Sequence, residues 1–157
     1  MLTVPRLKEL LSYDTETGKF YWVIGRGGNA PAGREAGTYL MGGYISIYID
    51  GRRYLAHRLA WLWCNGAWPQ NQIDHINRIR DDNRIANLRQ ATASQNKVNS
   101  IDRSKSRGVY QHKGSRTWNA RVHIAGKSIS LGFYKTKSDA IAARRMAEPR
   151  FYGEFAP

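Results

Sequence analysis

The chain has 157 residues, with 25 Lys plus Arg against 12 Asp plus Glu, and a net charge of +13 at pH 7. That length holds one ordinary domain or two small ones, and five Trp and nine Tyr can fill a core, which excludes a disordered basic tail. No apolar run approaches the roughly 18 residues of a membrane span, the N-terminus reads without a secretion signal, and a lone cysteine, Cys64, excludes a disulfide framework and a Cys-x-x-Cys zinc site.

These features predict a cytosolic protein whose partner is a polyanion, nucleic acid before an anionic membrane. The charge is uneven. Residues 1–100 carry a net +5, and residues 101–157 a net +8 in little more than half that length. The last third is expected to sit on phosphates.

In chain order, Leu7, Leu10 and Leu11 have the spacing of a short amphipathic helix within residues 3–12. Asp14 to Gly18 is a turn cluster, and Phe20 to Val23 reads as a strand. Gly25 to Gly37 is glycine-rich, but it lacks the strand, the Gly-Lys-Ser/Thr ending and the helix of a phosphate loop, so it reads as a surface loop. Tyr44 to Ile49 is a strand, Asp50-Gly51 a two-residue hairpin turn, and Arg52 to Ala56 the return strand. A helix over His57 to Cys64 would bury Leu59, Ala60, Trp63 and Cys64, with His57 a structural histidine and Gly66 its left-handed cap.

Ile73 to Ile76 is a short strand, Asn77 to Asn83 a polar loop, and Ile85 to Leu88 returns toward the core. Thr92-Ala93-Ser94-Gln95 has the form of a capping box and opens a helix. Residues 101–106 read as a linker. Beyond it come three strand-like segments, Gly108 to His112, Thr117 to Ile124 and Lys127 to Tyr134, and a helix from Thr136. Pro149 should end or kink that helix near Glu148, with Phe151, Tyr152 and Phe155 packing back.

The densest chemical signal lies in residues 73–99. Asp74 and His75 are adjacent at a strand end, Asn87 follows in the return segment, and Asn96 lies in the first turns of the next helix. This set suits a single-cation phosphodiesterase. Asp74 and Asn96 supply oxygens to magnesium or manganese, while His75, neutral near pH 7, takes a proton from water. Arg78, Arg80, Arg84 and Arg89 can clamp phosphates, Arg84 equally being able to pair with Asp81 or Asp82, both expected to brace the loop or to be solvated.

The run AHRLAWLWCNGAWPQNQIDHINRIRDDNRIANLRQATASQNKVN resembles the HNH endonucleases, above all phage homing and free-standing types. The resemblance implies a ββα-metal fold. Asp74 matches the first metal ligand, His75 the general base, Asn87 the middle Asn that braces the loop and orients the His, and Asn96 the last motif residue. It also implies a phage-type protein acting in the cytoplasm of a bacterial host.

Residues 107–155 hold a run that resembles the AP2 DNA-binding domain through Gly108-Val109-Tyr110, Trp118-Asn119-Ala120, Gly126-Lys127, Leu131-Gly132-Phe133, Thr136 and an alanine-rich helix. This implies a three-stranded antiparallel sheet on one helix, with its outer face in the DNA major groove. Strand alternation puts Trp118, Ala120 and Val122 inward with Ile129, Leu131 and Phe133. Ala140, Ala143 and Ala147 form a small-residue stripe on the helix, with Arg144 beside it turned to solvent or phosphate. The outward set is Arg107, Tyr110, His112, Asn119, Arg121, His123, Lys127, Ser128 and Ser130, with Arg121 the best base reader.

The expected architecture is α+β: an accessory region at 1–40, a nuclease domain at 41–100, the linker at 101–106 and an AP2-like domain at 107–157. The expected function is a metal-dependent endonuclease on double-stranded DNA, monomeric and nicking one strand, with no membrane role. The alternative is a catalytically decayed HNH protein that regulates by binding DNA without cleaving it. A basic RNA- or ribosome-associated protein also fits the charge but leaves the Asp-His and asparagine set unexplained.

Overall fold

The computed structural model describes residues 1–25, 27, 30–99, 108–111, 113–124 and 126–156. Among them the architecture is mixed α/β, with small antiparallel sheets and four α-helices. The chain forms two compact units, Met1–Ala91 and Thr92–Pro157. The division falls before the expected linker, whose residues lie outside the described set, and it assigns the helix opened by Thr92 to the second unit.

In the first unit, α1 (Val4–Leu10) starts at Thr3, whose Oγ1 accepts from Arg6 N at 3.4 Å, with Pro5 in its first turn where a missing N–H is harmless. It buries Leu7 and Leu10. Strands β1 (Leu11–Tyr13), β2 (Phe20–Trp22) and β3 (Glu35–Ala36) form one antiparallel sheet. Leu11, Tyr13, Phe20 and Trp22 point into the core, and the rings of the cross-strand pair Tyr13 and Phe20 lie 4.7 Å apart between centroids, tilted by 34°. A second sheet holds β4 (Thr38–Tyr39), β5 (Ile45–Ile49) and β6 (Arg52–Leu55). Ile47 and Ile49 are buried while Tyr48 faces out, the alternation of a half-covered strand.

Helix α2 (Ala56–Asn65) buries Ala56, His57, Leu59, Ala60 and Leu62 and ends at Gly66, which is left-handed at φ 73°. Cys64 is exposed, not in the core as the sequence led us to expect: the buried stripe runs through Leu59 and Leu62 and turns Cys64 outward. Strands β7 (Gln72–His75) and β8 (Leu88–Ala91) form a hairpin, with a 3₁₀ turn at Ile85–Asn87 before β8.

The second unit opens with α3 (Ala93–Asn99). Its capping box is closed: Thr92 N donates to Gln95 Oε1 at 2.8 Å, and Gln95 N to Thr92 Oγ1 at 3.3 Å. Strands β9 (Val109–Gln111), β10 (Trp118–Ile124) and β11 (Lys127–Tyr134) form an antiparallel sheet in the order β11-β10-β9, packed on α4 (Lys137–Tyr152). Val109, Ala120 and Ala140 centre a small core with Trp118, Leu131, Tyr134 and Ile141 around it.

Several expectations for this unit need correction. Phe133 faces out, 58% exposed. The β10–β11 register slips between Ala120 and Arg121, which pair with Gly132 and Ser130 and leave Leu131 as the extra residue. One extra residue reverses the facing of everything beyond it, so Gly132 and Tyr134 turn inward and Phe133 outward. Helix α4 also runs through Pro149 to Tyr152: only one turn follows the proline, so few intrahelical bonds are at stake, and Gly153 N still bonds to Pro149 O. Arg144, finally, does not face solvent. It is ion-paired with Glu148, and its Nε donates to Arg121 O at 3.2 Å. A Cβ at Gly108 would lie 2.6 Å from that Nε and 2.5 Å from Arg121 O, which explains the glycine. No described helix is long and apolar enough to cross a membrane.

Candidate active site

The β7–β8 hairpin presents Asp74 and His75 at the end of β7, both buried, with Arg89 paired opposite Asp74 and Leu88 opposite His75. The loop after β7 is held from within. Asn87 Oδ1 accepts from Asn77 N at 3.0 Å, and Asn87 Nδ2 donates to Asp82 O at 2.8 Å. Asp82 accepts from Asn77 Nδ2 at 2.6 Å and pairs with Arg84 at 2.6 Å, and these contacts hold its carboxyl down at about 2. Asp81 accepts from Tyr39 Oη at 3.0 Å.

The N-terminal region buttresses this loop. Tyr13 Oη donates to Asn83 O at 2.7 Å. Gly18, at φ 73°, comes so close that a Cβ would meet Arg84 N at 2.4 Å.

The neighbours of His75 in its own unit include Asn83, His57 and Tyr44. Asn83, fully buried, places Oδ1 3.4 Å from Nε2. The Asn83 amide donates to Asp81 O at 3.1 Å, which fixes its oxygen toward the imidazole and assigns the ring proton to Nε2. The rings of His57 and Tyr44 lie 5.1 and 6.0 Å from that of His75, His57 at 88° to it.

Burial lowers the His75 pKa, and the Asn83 bond and the Asp74 charge oppose that shift. Burial, with His75 and Arg58 nearby, drives His57 down to about 3. Both imidazoles are therefore neutral near pH 7, and a neutral imidazole is the form that accepts a proton. His57 is buried, and its Nδ1 has no hydrogen-bond partner among the described residues.

Asp74 meets Arg89, whose Nε lies 2.9 Å from Oδ2, both side chains being largely buried. Among the described residues no three His, Cys, Asp or Glu side chains group to hold a metal. Arg89 engages the Asp74 carboxylate in this structure, and carboxylate oxygens are hard donors of the kind that magnesium takes while keeping several waters. These donors fit a hydrated divalent cation better than a closed zinc cage. Asn96 lies on α3, in the second unit.

The four loop and hairpin arginines differ in setting. Arg80 donates to Gly42 O at 2.8 Å and lies over the Tyr44 ring at 5.0 Å. Arg84 is tied to Asp82 and Arg89 to Asp74, while half-buried Arg78 has a left-handed backbone.

On the sheet of the second unit, Tyr110, Arg121, His123, Lys127, Ser128 and Ser130 are exposed. Asn119 is buried, contrary to the expected outward contact. Its Nδ2 donates to Ser130 Oγ at 2.7 Å and its Oδ1 accepts from Arg121 Nε at 2.7 Å, so it supports Arg121 from beneath. Arg107 and His112 lie outside the described residues. Asn83, Tyr44 and His57 are the site residues that the sequence reading did not assign to it. Asn83 was within view, since a buried asparagine closing a polar loop must have partners.

Residues 54–98 match a family model described as HNH endonuclease. The match runs from β6 into α3 and so contains Asp74, His75, Asn83, Asn87 and Asn96. It supports a DNA-cleaving hydrolase as the general class, and DNA as the substrate that class implies. No curated protein matches the chain.

Proposed function

We propose that this chain is a metal-dependent DNA endonuclease of HNH type, homing or free-standing and phage-associated, with His75 as general base. The observation that carries the reading is the buried, neutral His75 held at Nε2 by Asn83 beside Asp74, inside the segment that matches the HNH endonuclease family. With the proton on Nε2, Nδ1 is the nitrogen that takes a proton from the attacking water. The water oxygen bonds to phosphorus, the bond to the 3′ oxygen breaks, and that oxygen takes a proton from solvent. Asp74 and Asn96 would hold magnesium or manganese, which supplies Lewis-acid stabilisation of the phosphate charge and of the departing oxygen. Asn87 keeps the loop shape on which this depends.

The second unit acts as an AP2-like reader, with Arg121 against base edges and the remaining exposed polar residues of the sheet on the backbone. One active site per chain implies that a monomer nicks one strand. The test is supercoiled plasmid and phage genomic DNA in magnesium, with and without EDTA. Open circles that EDTA abolishes support the reading. Binding without cleavage in magnesium and manganese contradicts it and favours the regulator.

A further inference from the structure

Two described non-glycine residues have a positive φ, Asp50 at 46° and Arg78 at 65°. Asp50 is explained by its turn. With Gly51 at φ 78° it forms the two-residue connection between β5 and β6, which requires positive φ at both positions and which Asp tolerates. Arg78 has no such excuse. It lies three residues after His75, where Gly or Asn would adopt the same backbone with little strain.

The conformation is imposed from outside the residue. Arg78 N donates to His75 O at 3.0 Å. Asn77, just before it, is fixed three ways: its N donates to Asn87 Oδ1, its Oδ1 accepts from Ile79 N at 2.9 Å, and its Nδ2 donates to Asp82. A loop so determined sets φ at position 78 whatever the side chain. Strain of this kind persists where the surroundings over-determine it, and it concentrates at functional sites. The side chain kept there is a half-buried cation, on a residue whose N–H bonds to the carbonyl of the candidate base, in a chain of net charge +13.

We propose that Arg78 is a substrate-contacting residue, binding a DNA backbone phosphate next to the bond that His75 helps to hydrolyse. The proposal rests on the nuclease reading above. An arginine fits because its planar fork makes two parallel bonds to a phosphate.

The test compares Arg78→Gly, Arg78→Asn and Arg78→Lys in the full chain. Melting temperature is measured beside affinity for a duplex oligonucleotide in EDTA across a salt series, and beside plasmid cleavage. Gly and Asn should melt a few degrees above wild type as the strain is released. They should bind DNA about tenfold more weakly, and the slope of log affinity against log salt should fall by about one. Lys should keep the wild-type slope.

Wild-type affinity and slope in Arg78→Gly would overturn the proposal. So would a lower melting temperature for that variant, because the arginine would then be holding the loop. If the set behaves as expected but the wild type cuts nothing in magnesium or manganese, the nuclease reading fails and the phosphate contact stands. If the wild type cuts and Arg78→Gly binds as it does, the contact fails alone. A wild type that binds no duplex overturns both.

Discussion

Asn83 Oδ1 lies 3.4 Å from His75 Nε2, and the same asparagine has its carbonyl held by Tyr13 and its amide by Asp81. The bond is long, but the asparagine is fixed from both ends, which favours the tautomer of His75 with its proton on Nε2. A general base contributes about 10²–10⁴ in rate, and losing its orientation removes part of that. Asn83→Leu should lower the single-turnover cleavage rate about ten- to a hundredfold, with DNA affinity kept. ¹⁵N NMR of the His75 ring should show a mixed tautomer population. An unchanged rate with an unchanged spectrum would mean that other contacts orient the ring.

His57 makes stability pH-dependent. Its pKa is about 3 in the folded chain against an ordinary 6.5, so the unfolded chain binds the proton first. The contribution therefore favours folding above pH 6.5 and is lost progressively as pH falls toward 3, at about 1.4 kcal/mol per unit within that window. His57→Phe removes this dependence together with the unpartnered Nδ1. Thermal melts at pH 7, 6, 5 and 4 should show the variant falling less steeply than wild type. Parallel curves would place the acid sensitivity elsewhere.

Gly18 and Gly51 both have left-handed backbones, but only Gly18 touches the active-site loop. Gly51→Ala should cost about 1 kcal/mol, the strain alone. Gly18→Ala adds a backbone clash with Asn83 and Arg84, so it should cost about 2–3 kcal/mol or more and also slow cleavage. Chemical denaturation beside a cleavage assay separates the two. Equal costs would mean that the loop yields freely.

Asn119 should act through Arg121. Arg121→Ala is expected to weaken discrimination between preferred and other DNA by roughly 1–3 kcal/mol, the worth of a bidentate base contact. Asn119→Ala, by freeing the guanidinium it now holds, should reproduce part of that loss although it is buried itself. Competition binding at fixed salt reads both. Full specificity in the Arg121 variant would assign the reading to other residues.

The elements that could be read from the sequence are those specified by neighbouring residues. The Asp50-Gly51 turn, the Gly66 cap and the Thr92/Gln95 box are each decided within a few positions, and the structure has all three. What could not be read depends on partners far along the chain. Phe133 turned outward because of a slip in pairing with β10, which strand alternation within β11 cannot reveal. Arg144 found Glu148 and a backbone oxygen of β10. Cys64 lies outside the buried stripe of α2, which runs through Leu59 and Leu62, and Asn119 was covered by Ser130 and Arg121. In the site, the Asp74 and His75 pair was legible as chemistry. Its supports were not, because Asn83, Tyr44 and His57 come from three separate segments and meet only in the folded unit.

The most direct test sets wild type beside His75→Ala, measuring cleavage of supercoiled plasmid in magnesium and affinity for the same DNA in EDTA. His75→Ala should lose cleavage by at least about a hundredfold, within the range of a general base, and bind as tightly as wild type. Cleavage that survives in His75→Ala, or cleavage and binding that fall together, would contradict this expectation.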